Sequence, residues 1–119
     1  MRFSPDLTFE YPANPLIVPQ ICLRFGDIQN VGITGRHHTG FVMIGQHAFN
    51  ENKEIYWKDR TAELHYNFFT KVMKIPREEI IFKEELWAMP DLSALGPCLE
   101  EFAYGVELAT SVFMQYRYN

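Results

Sequence analysis

From Leu16 the chain alternates apolar and polar side chains. Ile21, Leu23 and Phe25 fall on one side while Cys22 and Arg24 fall on the other, the period of a half-buried strand. A second strand over roughly 39–47 alternates around Phe41, Met43 and Gly45. Gly26, Asp27, Asn30, Gly32 and Gly35 crowd the stretch between them, so the pair is predicted to form a long antiparallel hairpin with a polar loop. Pro5, Pro12 and Pro15 predict an irregular lead-in over 1–14.

After Asn50 and Asn52, the residues Leu64, Phe68, Val72 and Ile75 recur at three- and four-residue steps, which predicts a helix over about 55–74. Pro76 ends it, and Arg77, Glu78 and Glu79 turn the chain into a short strand over 80–82. The stretch 88–97 reads as irregular. Residues 99–118 are rich in β-branched and aromatic side chains around Gly105, which predicts two strands or one bent strand. The order β-β-α-β-β-β gives an α+β domain over 1–119 with a mainly antiparallel sheet and one main helix, without internal repeat or linker.

Composition narrows the function classes. With 119 residues the chain suits one domain with a modest core, and 47% hydrophobic and 15% aromatic residues exclude a disordered or low-complexity chain. A net charge of −4 argues against an autonomous, salt-dependent grip on a nucleic-acid backbone, so any RNA must be held through a larger assembly. Cys22 and Cys98 have no metal-like spacing and no signal peptide precedes them, which makes a reducing cytoplasm the expected compartment. The apolar runs fall far short of the ~20 residues a membrane helix needs, so no membrane is expected.

The hairpin "CLRFGDIQNVGITGRHHTGF" resembles the second motif of the class II aminoacyl-tRNA synthetases in the form of the archaeal alanyl branch. That pattern has an Arg, an acidic residue three positions on, a variable loop, a basic–His pair and a Phe before the return strand. Arg24, Asp27, Arg36, His37 and Phe41 occupy those positions. The likeness continues through "QHAFN", "EIYWKDRTAEL", "FFTKVMKIPREEIIFKE", "GPCLE" and "VELATSVFMQY", and so covers roughly 14–117.

The resemblance implies a partial class II catalytic core that serves ATP-dependent activation of alanine and aminoacylation of tRNA. Arg24 would contact the α-phosphate of ATP as the catalytic residue, with Arg36 or His37 nearer the outer phosphates and Phe41 stacked under the adenine. Asp27 would fix the hairpin loop or bind a nucleotide or tRNA-end group. Trp87 matches a Trp beside the amino-acid pocket, and Thr110 and Val112 match the strand that lines its floor. ATP with Mg2+ would be the cofactor, with no protein-bound metal. A guanidinium suits the α-phosphate because it stays charged and offers a planar fork of donors.

The family's first and third motifs are not found in the sequence, nor is the acid near the third that holds the substrate ammonium. The expectation is therefore a module inactive alone, completed by a homodimer or a partner chain. Other departures fall at site positions. Val42 stands where the family usually carries Glu, Gly40 where it carries a bulky aromatic, and "AMPDLSALGP" replaces a Gly-rich loop. These departures keep a second reading open, a non-catalytic paralogue acting as a small-ligand-binding or protein-interaction module. An excised piece of a larger synthetase is a third.

Read without the resemblance, Arg24 could pair with a neighbouring carboxylate, and Phe41 and Trp87 could be core aromatics. His37, His38, His47 and His65 read as surface or core residues rather than metal ligands. The acidic pairs Glu78–Glu79, Glu84–Glu85 and Glu100–Glu101 read as solvated, and Cys98 as a small packed residue.

Overall fold

The computed structural model describes residues 10–50 and 53–117. The chain forms two compact units, Met1–Ile55 and Tyr56–Asn119. Both are antiparallel, and the helical content of the second gives the α+β class expected from the sequence.

In the first unit, β1 (Leu16–Leu23) pairs with β2 (Gly40–His47) from Leu16 opposite His47 to Leu23 opposite Gly40. The base of the ribbon is fastened by Asn14, whose side-chain amide donates to the Phe49 carbonyl at 2.7 Å and whose Oδ1 accepts from the Phe49 N–H at 3.0 Å. Residues 10–15 carry no regular structure, in keeping with Pro12 and Pro15, and Pro5 lies outside the described residues.

Alternation along β1 puts Ile21, Leu23 and Phe25 on one apolar face, and these residues are 77%, 70% and 64% exposed. Leu16, Val18 and Cys22, on the opposite side of the same strand, are the half-buried ones. A period of two identifies which residues share a face, and cannot say which face meets a neighbour.

The second unit begins with α1 (Lys58–Asn67), prolonged by a π turn over Phe68–Val72 in which Met73 N–H reaches the Phe68 carbonyl at 3.0 Å. Of the predicted stripe of Leu64, Phe68, Val72 and Ile75, Leu64 and Ile75 are half-buried and the other two are not. Thr61 and Phe69 are buried and His65 half-buried between them, whereas Phe68 and Val72 are 46% and 65% exposed. Two causes combine. Thr61 and His65 find buried hydrogen-bond partners, which removes the penalty for burying them. The wider π turn then rotates later residues off the α-helical register. Lys74, at φ 61, and Pro76 end the segment.

Strands β3 (Ile80–Ala88), β4 (Leu95–Ala103) and β5 (Val106–Val112) form a three-stranded sheet in that order. The expected short strand at 80–82 thus runs to Ala88, and the irregular stretch shrinks to 89–94, closed by Met89 N–H on the Ala94 carbonyl at 2.8 Å. The terminal segment resolves into the two-strand alternative, with β4 starting ahead of the predicted 99. Tyr104 and Gly105 make the turn, both at positive φ (53 and 72), the geometry of a two-residue type I′ hairpin. Beyond Val112 the chain continues alongside the start of β4, where Tyr116 and Leu95 exchange backbone hydrogen bonds of 2.9 Å. Gly96 is required at that crossing, since an added Cβ would lie 1.8 Å from the Phe113 carbonyl oxygen. Tyr118 lies outside the described residues.

Candidate functional site

The ladder that opposes Cys22 to Phe41 is carried one step further by Arg24 N–H on the Thr39 carbonyl, at 2.8 Å. Arg24 follows Cys22 by two residues, so Arg24 and Phe41 share one face of the ribbon. Arg24 is exposed, Phe41 is half-buried, and among the described residues no carboxylate pairs with the Arg24 guanidinium.

The loop above them is built by its own polar groups. Asp27 adopts the left-handed conformation (φ 58), which a short polar side chain tolerates better than most. Its carbonyl accepts from Asn30 N–H at 2.8 Å, closing a 3-10 turn over Ile28–Asn30. Its side chain makes no capping bond. Gly32 and Gly35 take the remaining positive-φ positions. Thr34 Oγ1 lies 2.7 Å from His37 Nδ1 and accepts from Arg36 N–H at 3.1 Å, so one hydroxyl ties the Arg36 backbone to the His37 ring. The Arg36 side chain projects into solvent.

In the second unit, the register opposes Trp87 to Gly96, Cys98 to Val112 and Glu100 to Thr110. Trp87, Thr110 and Val112 therefore share one face of the sheet. Across the same face runs an ionic row in which Lys83 Nζ lies 2.5 Å from Glu85 and 3.3 Å from Glu100. Hydrogen bonds to those two carboxylates push the Lys83 ammonium above its usual range. Thr110 donates to Glu107 across the bulge that displaces Leu108. Cys98 is 5% exposed, and its burial, aided by the charges of Glu100 and Glu85, raises the thiol above its ordinary range. It is a packed residue, not an activated nucleophile.

A groove of about 730 Å³ lies between the first turn of α1 and strands β3 and β4, lined by Lys58, Ala62, Leu86, Pro97 and Leu99 among others. Trp87, Thr110 and Val112 do not line it. Among the described residues no three His, Cys, Asp or Glu side chains converge as a metal site, and no helix is long and apolar enough to cross a membrane.

Sequence reasoning missed a buried polar cluster. Glu101, read as solvated with Glu100, is 0% exposed. Its Oε1 accepts from Ser111 Oγ at 2.7 Å and its Oε2 lies 2.6 Å from His65 Nδ1. The signal was present, because Leu99 and Ala103 flank Glu101 at two-residue steps and mark that side of β4 as apolar. Ser111 Oγ also lies 3.3 Å from His65 Nδ1, the nitrogen that faces Glu101. Nucleophile relays use the opposite ring nitrogen for the serine, so the cluster fastens helix to sheet and does not activate Ser111.

A sequence model described as "tRNA synthetases class II (A)" matches residues 3–119. The alanine–tRNA ligase of Cenarchaeum symbiosum (strain A) is 48% identical over 112 residues, covering 94% of this chain and 12% of that protein. The alanine–tRNA ligase of Pyrococcus abyssi is 53% identical over 107 residues, covering 89% of this chain and 12% of that protein. That of Methanopyrus kandleri is 50% identical over 109 residues, covering 88% and 12%. The chain thus spans about 12% of the length of the curated relatives it matches.

Proposed function

The chain belongs to the class II aminoacyl-tRNA synthetases, and from that membership we propose that it is an ATP- and amino-acid-facing part of an alanyl-type catalytic region. In this reading it serves activation of alanine and its transfer to tRNA, in the cytoplasm, together with the remaining motifs of the core. Those motifs come from a longer chain or a partner chain, and tRNA is met through that larger assembly.

The observation that carries the reading is the pairing of Arg24 with Phe41 on one ribbon face, where the guanidinium is exposed and has no carboxylate partner among the described residues. In activation the alanine carboxylate attacks the α-phosphorus of ATP, the bond to pyrophosphate breaks, and negative charge gathers on the α-phosphate oxygens. Arg24 is proposed to donate to those oxygens and Phe41 to carry the adenine ring. Arg36 or His37, the latter with its ring held by Thr34, would face the outer phosphates, with Asp27 shaping the loop through its left-handed backbone. In the second unit, Trp87, Thr110 and Val112 are proposed to line a small pocket that excludes longer side chains by size. Mg2+ would arrive on the nucleotide phosphates.

The non-catalytic alternative is favoured by one feature. In the loop that stands in place of the family's Gly-rich segment, Leu92 occupies the left-handed region at φ 57, and its side chain is 55% exposed.

Titration of the isolated chain with ATP, followed by alanine-dependent pyrophosphate exchange, tests the proposal. Losing one preorganised charge contact costs about 2.7–4 kcal/mol of transition-state stabilisation, so missing motifs remove turnover more completely than binding. The expected result is weak or absent ATP binding and no exchange. Robust exchange abolished by Arg24→Ala would show that the chain needs no further motifs.

A further inference from the structure

Thr110 and Val112 lie on β5 beyond a break in its pairing. At its start β5 sets Val106 opposite Ala103 and Glu107 opposite Phe102, but from Ala109 onward the pairing has moved by one residue, with Ala109 opposite Glu101 and Thr110 opposite Glu100. Leu108 is the extra residue of this bulge. The shift decides which side chains face which way. Thr110 donates to Glu107, three positions back, although side chains three apart on an unbroken strand point to opposite faces. Had β5 kept the register of its first pairs, Thr110 would stand opposite Leu99, on the side of α1. Ser111 would then stand opposite Cys98, on the side of Trp87.

We propose, resting on the alanyl-type reading of the pocket, that Glu101 and Ser111 are positioning residues whose buried bond pins the bulge at Leu108 and so turns Thr110 and Val112 toward the amino acid. Glu101 is the first β4 residue paired beyond the bulge, and its Oε1 accepts from Ser111 Oγ at 2.7 Å. Its Oε2 lies 2.6 Å from His65 Nδ1, which ties the lock to α1. Phe113, two residues past Ser111 and 6% exposed, packs edge-on against Trp57 at 5.3 Å and holds the same register. A slip by one residue would set the smaller Val112 in its place. It would also exchange Ser111, itself only 6% exposed, for the branched Thr110. Ser111→Ala reverses part of this balance, because the native register then loses the Ser111 donor to Glu101 while the slipped register supplies the Thr110 hydroxyl.

NMR of the full chain reads the register. Wild type is expected to show proton contacts that set Leu99 opposite Ser111 and Glu100 opposite Thr110. Ser111→Ala is expected to populate a second register, with Leu99 opposite Thr110, about five- to thirtyfold more than wild type, read by relaxation dispersion at the amides of 107–112. The same substitution is then made in a Pyrococcus abyssi alanine–tRNA ligase that carries this chain in place of its matching segment. There it is expected to raise KM for alanine about tenfold or more and leave KM for ATP unchanged. Glu101→Gln, which can accept from Ser111 and donate to His65 Nδ1, is expected to behave as wild type in both measurements. Dispersion in Ser111→Ala that matches wild type overturns the proposal, as does an unchanged KM for alanine or an equal rise in both KM values. A chimera that is inactive before any substitution contradicts the alanyl-type reading instead, and the register measurement then decides this inference by itself.

Discussion

Ser111 on β5 donates a 2.7 Å hydrogen bond to Glu101 on the neighbouring strand β4, on the side of the sheet where His65 of α1 closes the other carboxylate oxygen. A carboxylate with no solvent exposure is tolerated only while its lone pairs are satisfied. Ser111→Ala is therefore expected to destabilise the second unit by about 1–3 kcal/mol, and Glu101→Ala by about 3 kcal/mol or more. Urea unfolding measures both. A double-mutant cycle between Ser111→Ala and His65→Ala is expected to show coupling, since both act through Glu101.

The β4–β5 turn is expected to improve on substitution. Tyr104 holds φ 53 and is 62% exposed, so it contributes little packing while its side chain strains the left-handed backbone. Asn at the first position of an Asn-Gly type I′ turn removes most of that strain. Tyr104→Asn should raise stability by roughly 0.5–1 kcal/mol, read from the urea midpoint at unchanged slope. A loss of stability would mean that the Tyr104 ring makes contacts that outweigh the strain.

Cysteine chemistry separates the two units. Cys98 is buried with its thiol held above the ordinary range, while Cys22 is half-buried on the ribbon. Alkylation of the native chain near neutral pH should modify Cys22 first. Because the folded-state value of Cys98 is raised, its contribution to stability is fully present below the ordinary thiol range. That contribution falls as pH rises through the range toward the raised value, where the unfolded chain ionises first. Stability against urea at mildly alkaline pH should accordingly decline less in Cys98→Ala than in the wild type. An equal decline would show that other groups control the alkaline limb.

The hairpin was legible because its signals are local. Alternation marks both strands, and Gly32 and Gly35 supply the positive-φ positions of the loop. The pairing of Arg24 with Phe41 on one face then follows from register alone. What did not follow was every feature set by tertiary partners. Ile21 and Leu23 form a regular apolar face, but nothing in the alternation says whether that face is covered. The inward face of the helix was only partly legible because Thr61 and His65 are polar, and their burial depends on the Trp57 carbonyl and on Glu101. Glu101 itself was misread together with its neighbour Glu100, which lies on the opposite face, half-buried and paired with Lys83. The roles of Trp87, Thr110 and Val112 came from family resemblance, and the register adds that the three share a face.

A chimera tests the proposal that Arg24 contacts the α-phosphate in an alanyl-type catalytic region. The segment of the Pyrococcus abyssi alanine–tRNA ligase that matches this chain is replaced by this chain's residues, and alanine-dependent pyrophosphate exchange is measured with Arg24 intact and as Arg24→Ala. The account predicts exchange in the intact chimera and a loss of about 10²–10³-fold on Arg24→Ala, the usual cost of removing one preorganised charge contact to the transition state. Comparable exchange in the two chimeras would contradict it.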